Sequence, residues 1–313
     1  MNPDETRNFI SRPTRPLPAS VFIRVNLWPM KLKEIAAPDF DLARTLDSGQ
    51  VFHWEKCGAG FAGMIRSSGV YVEQRRDRLF FTGATAEVIE NYFALDHPLG
   101  EICGSFPNDP AMHAACDFCQ GLRIMRQPRW ECLATFITSS MKQVAHIRQI
   151  SRTLRKRYGK PQLVLDFEVH SFPPAQRIAE LTEQDLRTCA LGYRAKNLLA
   201  TARLIASGEA DLEKWRKLPD ESLRIRLCEL PGVGAKVANC VMLFAYERLR
   251  AFPIDVWIER VLKQKYFPRK RKVTATQLRA FCETYFGQHG GYAQQYLFHH
   301  ARKGGAAPRV VTK

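Results

Sequence analysis

The hydrophobic rhythm of the chain changes once along its length. Between about residues 40 and 90, apolar positions fall in short clusters rich in aromatic and β-branched residues, separated by Gly, Ser or Asp. Val51–Trp54, Phe61–Met64, Gly69–Glu73 and Arg78–Thr82 read as strands, because such runs suit a pleated, half-buried surface. Together they predict an antiparallel meander. After about residue 85 the spacing lengthens to that of helices. Glu87–Phe93 and Pro110–Arg123 fit one helix each. From residue 128 the pattern is helical almost throughout: Glu131–Ser140, Gln143–Tyr158, Pro174–Ala190, Arg194–Ser207, Pro219–Leu230 and Val256–Lys265, with Gly287–Gly291 separating the last two helices. The predicted class is α+β. An antiparallel-sheet domain over 31–127 packs on a mostly helical domain over 128–303, between a disordered basic arm (1–30) and a flexible tail (304–313).

Composition narrows the partners. The 47 Lys+Arg against 31 Asp+Glu leave a formal charge of +16, which favours a polyanion, since each cation placed on a phosphate releases condensed counterions. The nine cysteines are scattered, and only Cys116 and Cys119 lie close together. That pattern predicts reduced thiols in an intracellular protein, with no structural metal and no cofactor. No apolar run approaches the roughly 20 residues of a membrane span, so no membrane partner is expected. Residues 1–20 are rich in Arg and Pro, without a signal-peptide core, and Met30 reads as an alternative start.

The segment that carries chemistry is Leu230-Pro-Gly-Val-Gly-Ala-Lys-Val-Ala-Asn-Cys240. Val237, Cys240, Val241 and Phe244 keep the spacing of a buried helix face, and Leu223 and Leu227 do so before it. Pro231–Gly234 is then a tight turn between helices. Gly232 and Gly234 permit unusual backbone angles and close approach of a phosphate, and the following helix N-terminus offers unpaired N–H groups. Two readings stay open on this segment alone: an ordinary helical hairpin, or a grip on a DNA backbone without sequence readout. Further on, Phe252-Pro-Ile-Asp255-Val-Trp places Asp255 where an aspartate caps a helix, a role compatible with holding a carboxylate at a fixed point.

The turn, the lysine inside it and the aspartate 19 residues later resemble the helix–hairpin–helix glycosylase superfamily. Phe-Pro-Ile-Asp in place of Gly-Pro-Asp is similar to its 8-oxoguanine DNA glycosylase/AP lyase branch. Asp47-Ser-Gly-Gln-Val-Phe-His-Trp54, Leu191-Gly-Tyr-Arg-Ala-Lys196 and Tyr292-Ala-Gln-Gln-Tyr-Leu-Phe298 resemble three further segments of that branch, and the match runs over roughly residues 38–300. The resemblance implies a monomeric enzyme that acts on double-stranded DNA containing an oxidised purine and flips the damaged base out. Lys236 would be the Schiff-base nucleophile and Asp255 its acidic partner.

The resemblance also implies a base pocket of Gly49, Cys240, Gln294 and Phe298. The Gly49 carbonyl would accept from the N7–H that 8-oxoguanine has and guanine lacks. Gln294 would read the Watson–Crick edge and Phe298 would stack on the base. Met141, His146, Tyr193, Arg194, Gly232, Gly234 and Trp257 would meet DNA. For Cys240 a plain core role is as open as a pocket role, and for Tyr193 and Arg194 so is a helix-entry turn with a solvated arginine.

Two departures stand out. Ser139-Ser-Met-Lys-Gln143 replaces an Asn-rich stretch, and His146 replaces an arginine; both predict weaker selectivity for the base opposite the lesion. Trp257 stands where relatives often carry His. Competing readings are an alkylpurine glycosylase, which generally lacks the hairpin lysine, and a non-catalytic DNA-binding protein, which needs neither Lys236 nor Asp255. A four-cysteine-cluster relative is disfavoured, because only Cys282 follows Asp255.

Overall fold

Five strands form an antiparallel sheet in the order β1-β5-β4-β3-β2. They are β1 (Lys33–Ala36), β2 (Glu55–Cys57), β3 (Gly60–Ile65), β4 (Ser68–Arg75) and β5 (Arg78–Thr82). Two-residue turns join the last four, with Gly58, Arg66 and Arg76 at positive φ. Such turns match the right-handed twist of a hairpin. One sheet face buries Val70, Val72, Leu79 and Phe81 against α1 (Leu42–Asp47) and α2 (Ala86–Tyr92). The computed structural model describes residues 32–140, 143–270 and 272–304, which form one compact unit. The arm 1–30, Met141 and most of the tail 304–313 lie outside the described residues.

The strand expected at Val51–Trp54 begins only at Glu55. Residues 51–54 stay irregular because they cross the sheet face: a Cβ on Gly63 would lie 2.6 Å from the Trp54 ring. The helix expected over Pro110–Arg123 ends at Phe118. Gly121, at φ +77, turns the chain so that its carbonyl accepts from Asp41 N at 2.8 Å.

The helical region holds α3 (Leu99–Gly104), α4 (Pro110–Phe118), α5 (Arg129–Ser139) and α6 (Val144–Tyr158), and then a hairpin of β6 (Pro161–Val164) and β7 (Phe167–His170). The hairpin corrects the all-helical expectation after residue 128. Its sequence is paired by tertiary contact: Gln162 Oε1 accepts from Gly69 N at 2.6 Å, and Val164 leaves no room for a side chain at Gly69. Helices α7 (Ala175–Ala179) and α8 (Glu183–Arg187) follow where one helix was expected over Pro174–Ala190. Thr182 and Asp185 form a reciprocal capping box that starts a new helix there. Then come α9 (Arg194–Ala206), α10 (Asp220–Cys228), α11 (Ala235–Ala245), α12 (Val256–Val261), α13 (Ala275–Tyr285) and α14 (Gly290–Lys303). Every residue of α5 from Glu131 to Ser139 is buried, so this helix is the axle of the larger core; α9, α11 and α6 pack around it, and α4 packs on α14.

Candidate active site

Helices α10 and α11 meet at Pro231–Gly234, the turn expected between them. Gly232 has φ +81, and a Cβ there would lie 2.8 Å from the Asn197 side chain of α9; only glycine fits. Gly234 corrects the expectation of unusual angles at both glycines: its φ is −98, and open space lies where its side chain would be. Its contribution is access. Helix α11 starts there without a side-chain cap, so first-turn N–H groups remain for an anion. Thr201 of α9 steadies the turn by donating to Pro231 O at 3.0 Å.

Lys236 lies on that first turn, half-buried, with its Nζ 5.1 Å from the centre of the Phe136 ring of α5. Phe136 is itself stacked on Phe244 (13° between planes) and meets Phe52 edge-on. The lysine is therefore held by a wall of rings. Cys240, one turn on, is buried; desolvation pushes its thiol up to about 11, against the pull of the Lys236 ammonium. Asp255 caps α12, its Oδ1 accepting from Trp257 N (3.0 Å) and Ile258 N (2.9 Å). Burial pushes its carboxyl upward from an aspartate's ordinary value; the Ile258 N–H, the Lys236 ammonium and the Trp257 N–H act in the opposite direction. The group that caps α12 is thus also the carboxyl that feels the Lys236 charge.

Gly49 follows α1 at φ +86, and a Cβ there would stand 3.1 Å from the Phe298 ring. The loop carrying it is tied at every residue around the glycine. Gln295 Nε2 donates to Ser48 O (2.8 Å), and Gln50 donates to Arg123 O (2.8 Å) and accepts from Met125 N (2.8 Å). Asp47 bonds Arg148 (2.8 Å) and Lys303 (2.7 Å). Gln294 is 4 % exposed, and its amide oxygen has no hydrogen-bond partner among the described residues. A buried acceptor left unpaired costs roughly 1–3 kcal/mol, which an arriving donor would recover.

The residues expected on the partner-base side are placed differently. Tyr193 is 56 % exposed and carries the Arg194 guanidinium 4.3 Å from its ring centre. Arg194 is 5 % exposed and donates through Nε to Ser140 O at 2.7 Å, so the solvated-arginine alternative is wrong. His146 is exposed on the first turn of α6. Trp257 is half-buried with the Arg260 guanidinium 5.6 Å from its ring. Sequence reasoning misses Phe136, Gln295 and Asp47. Gln295 adjoins Gln294 and Asp47 opens the Ser-Gly-Gln segment, so their placement was the only available signal; Phe136 looks like any core phenylalanine.

Residues 33–133 match the model for the 8-oxoguanine DNA glycosylase N-terminal domain, and residues 134–286 match that for HhH-GPD superfamily base excision DNA repair proteins. A structure of the Clostridium acetobutylicum 8-oxoguanine glycosylase/lyase, in complex with duplex DNA containing cytosine opposite 8-oxoguanine, superposes with a TM-score of 0.81. It is 30% identical, over 87% of this chain and 98% of that one. The chain belongs to the 8-oxoguanine DNA glycosylase family.

A structure of MBOgg1 with a low-affinity DNA ligand is similar in the same degree (TM-score 0.83, 30% identity, 88% and 100% covered). The probable N-glycosylase/DNA lyase of Methanothermobacter thermautotrophicus is 27% identical over 88% of this chain and 98% of its own. As a member of this family the chain is a DNA glycosylase with lyase activity that binds duplex DNA in base excision repair. No described helix is long and apolar enough to cross a membrane.

Proposed function

We propose that this enzyme, acting as a monomer on intracellular DNA, excises 8-oxoguanine through Lys236 and then cleaves the strand. The observation that carries the reading is the convergence of Lys236, Asp255 and Cys240 beside an uncapped helix start. In its neutral form the Lys236 amine gives its lone pair to C1′ as the bond to the base breaks. The base leaves with the bonding electrons and takes up a proton. Ionised Asp255 stabilises the positive charge that develops on the sugar. Opening of the sugar ring gives an imine between Nζ and C1′. Loss of a C2′ proton then expels the 3′ phosphate by β-elimination.

Gly49 O would accept the N7–H of the lesion, and the unpaired Gln294 oxygen would accept from the Watson–Crick edge, with the base stacked on Phe298. Gly232, Gly234 and the α11 N-terminus would hold a phosphate, and Trp257 would meet the backbone beside Asp255. Tyr193 would wedge the stack, and Arg194 would meet the orphaned base. With His146 in place of an arginine and Met141 in place of an asparagine, that base is held by fewer fixed hydrogen bonds, so opposite-base selectivity is broad.

Borohydride trapping on a duplex carrying 8-oxoguanine tests the core of this reading. The wild-type chain forms a covalent adduct and Lys236→Gln forms none, with excision down by roughly 10³-fold or more. An adduct of equal yield in Lys236→Gln would sink it.

A further inference from the structure

The wall of the base pocket contains a cation that none of its motifs accounts for. Arg302 follows Phe298 by one turn of α14, so the two share a face. Its guanidinium carbon lies 5.6 Å from the centre of the Phe298 ring. Its Nη2 donates to the carbonyl of Asp47, two residues before Gly49. The same group stands 3.9 Å from the point a Gly49 Cβ would occupy. His299 Nδ1 lies 3.5 Å from Nη2; burial first, and the Arg302 charge second, hold that imidazole down to about 4, so it is neutral. Arg302 Nε is buried without a partner among the described residues.

A basic residue in the last turn of a helix has a common explanation, the favourable interaction with the helix dipole. That role needs no particular partner. Arg302 also stacks on a ring and bonds the C-terminal carbonyl of α1, 255 residues away in sequence. Nor does it serve mainly to neutralise Asp47, whose carboxylate bonds Arg148 and Lys303. What Arg302 holds is the Asp47 backbone, on one side, and the Phe298 ring, on the other.

We propose that Arg302 is a positioning residue for lesion recognition. It is a strut that fixes the Gly49 turn and the Phe298 ring relative to each other, setting the width of the base slot and the direction of the Gly49 carbonyl. The inference rests on the pocket reading above. Its physical reason is the small difference being read. The N7–H that this carbonyl would read is, with the C8 oxygen, all that separates the lesion from guanine, and a hydrogen bond weakens steeply once its angle or length is lost. A carbonyl on an unbraced turn gives that difference away.

The test uses the full-length protein, Arg302→Met and Arg302→Lys on two duplexes, one with 8-oxoguanine and one with a preformed abasic site. Strand cleavage at the abasic site needs Lys236 and no base. Arg302→Met is expected to slow single-turnover excision of 8-oxoguanine by roughly 10- to 100-fold, as a misplacement of about 1 Å does. Its abasic-site cleavage and trapping should stay within about twofold of wild type, since Lys236 is untouched. Arg302→Lys, which keeps a cationic donor, should fall between the two. Three results would overturn the strut: wild-type excision in Arg302→Met, equal loss of both activities, or Arg302→Lys no better than Arg302→Met. If the wild-type chain fails to trap at the abasic site, it is the Lys236 reading that fails instead.

Discussion

The two sides of the proposed base-flipping site are built in opposite ways. On the lesion side, Gly49, Cys240, Gln294 and Phe298 come from three distant segments, and the Gly49 loop is braced by buried hydrogen bonds of Gln50 and Gln295 and by partly exposed ion pairs at Asp47. On the partner-base side, Tyr193 and His146 face solvent, and Arg194 is parked on the Ser140 carbonyl. In the proposed pocket, the Gly49 carbonyl tells 8-oxoguanine from guanine by its N7–H, which demands a rigid acceptor. In the proposed role, meeting an orphaned base calls for side chains free to move, and Arg194 would exchange its bond to Ser140 for one to the base. Damage to the first side should therefore slow excision, whereas changes to the second should only redistribute it among partner bases.

The largest effect after loss of Lys236 is expected at Asp255. Asp255→Asn keeps a capping side chain, yet should cost excision roughly 10²–10³-fold, the scale of losing one preorganised electrostatic contact. The pH profile sharpens this. The catalytic form is ionised and burial raises its pKa, so the rate of the wild-type enzyme should fall as pH drops through a value above that of an ordinary aspartate. An acid limb at or below the ordinary aspartate value would break the assignment. Stability has the opposite sign. A folded-state pKa raised above the unfolded one means that stability declines as pH rises through that window, so ionised Asp255 weakens the fold at neutral pH. Thermal melts should find Asp255→Asn no less stable than wild type.

Gly49→Ala comes next. A positive φ and the Phe298 ring at 3.1 Å both oppose a side chain, so single-turnover excision should drop by about 10²-fold while abasic-site cleavage survives. Matching losses in the two assays would mean that the glycine serves the fold alone. Gln294→Ala should cost about tenfold in excision, the value of one hydrogen bond to a buried base edge. No change in that rate would place the base elsewhere. The smallest effect belongs to the partner side. His146→Arg should raise the preference for cytosine opposite the lesion by roughly fivefold, within the range of one bidentate base contact, and leave the rate opposite cytosine nearly unchanged. A fall of the same size opposite every partner base would show that the two sides are not separable.

Much of the fold was legible because periodicity reports burial. The meander, the buried α5 and the hairpin between α10 and α11 all follow from apolar spacing and glycine placement. The misses have two causes. The β6–β7 hairpin, the irregular 51–54 segment and the split at Thr182 depend on partners far along the chain or on cap geometry. Local propensity is weak enough for such contacts to override.

The site divides along the same line. Sequence by itself brought Lys236, Cys240 and Asp255 forward as candidates: two lie on one helix turn and the third is a cap, while their roles came from the resemblance. It also named Gly49, Gln294 and Phe298, through resemblance. Only the tertiary structure decided how those residues are held. The ring behind Lys236, the Arg194–Ser140 bond and the Arg302–Asp47 bond all join segments tens to hundreds of residues apart. Side-chain identity is a local property of the sequence, whereas the bracing that makes an atom readable exists only once remote segments have packed.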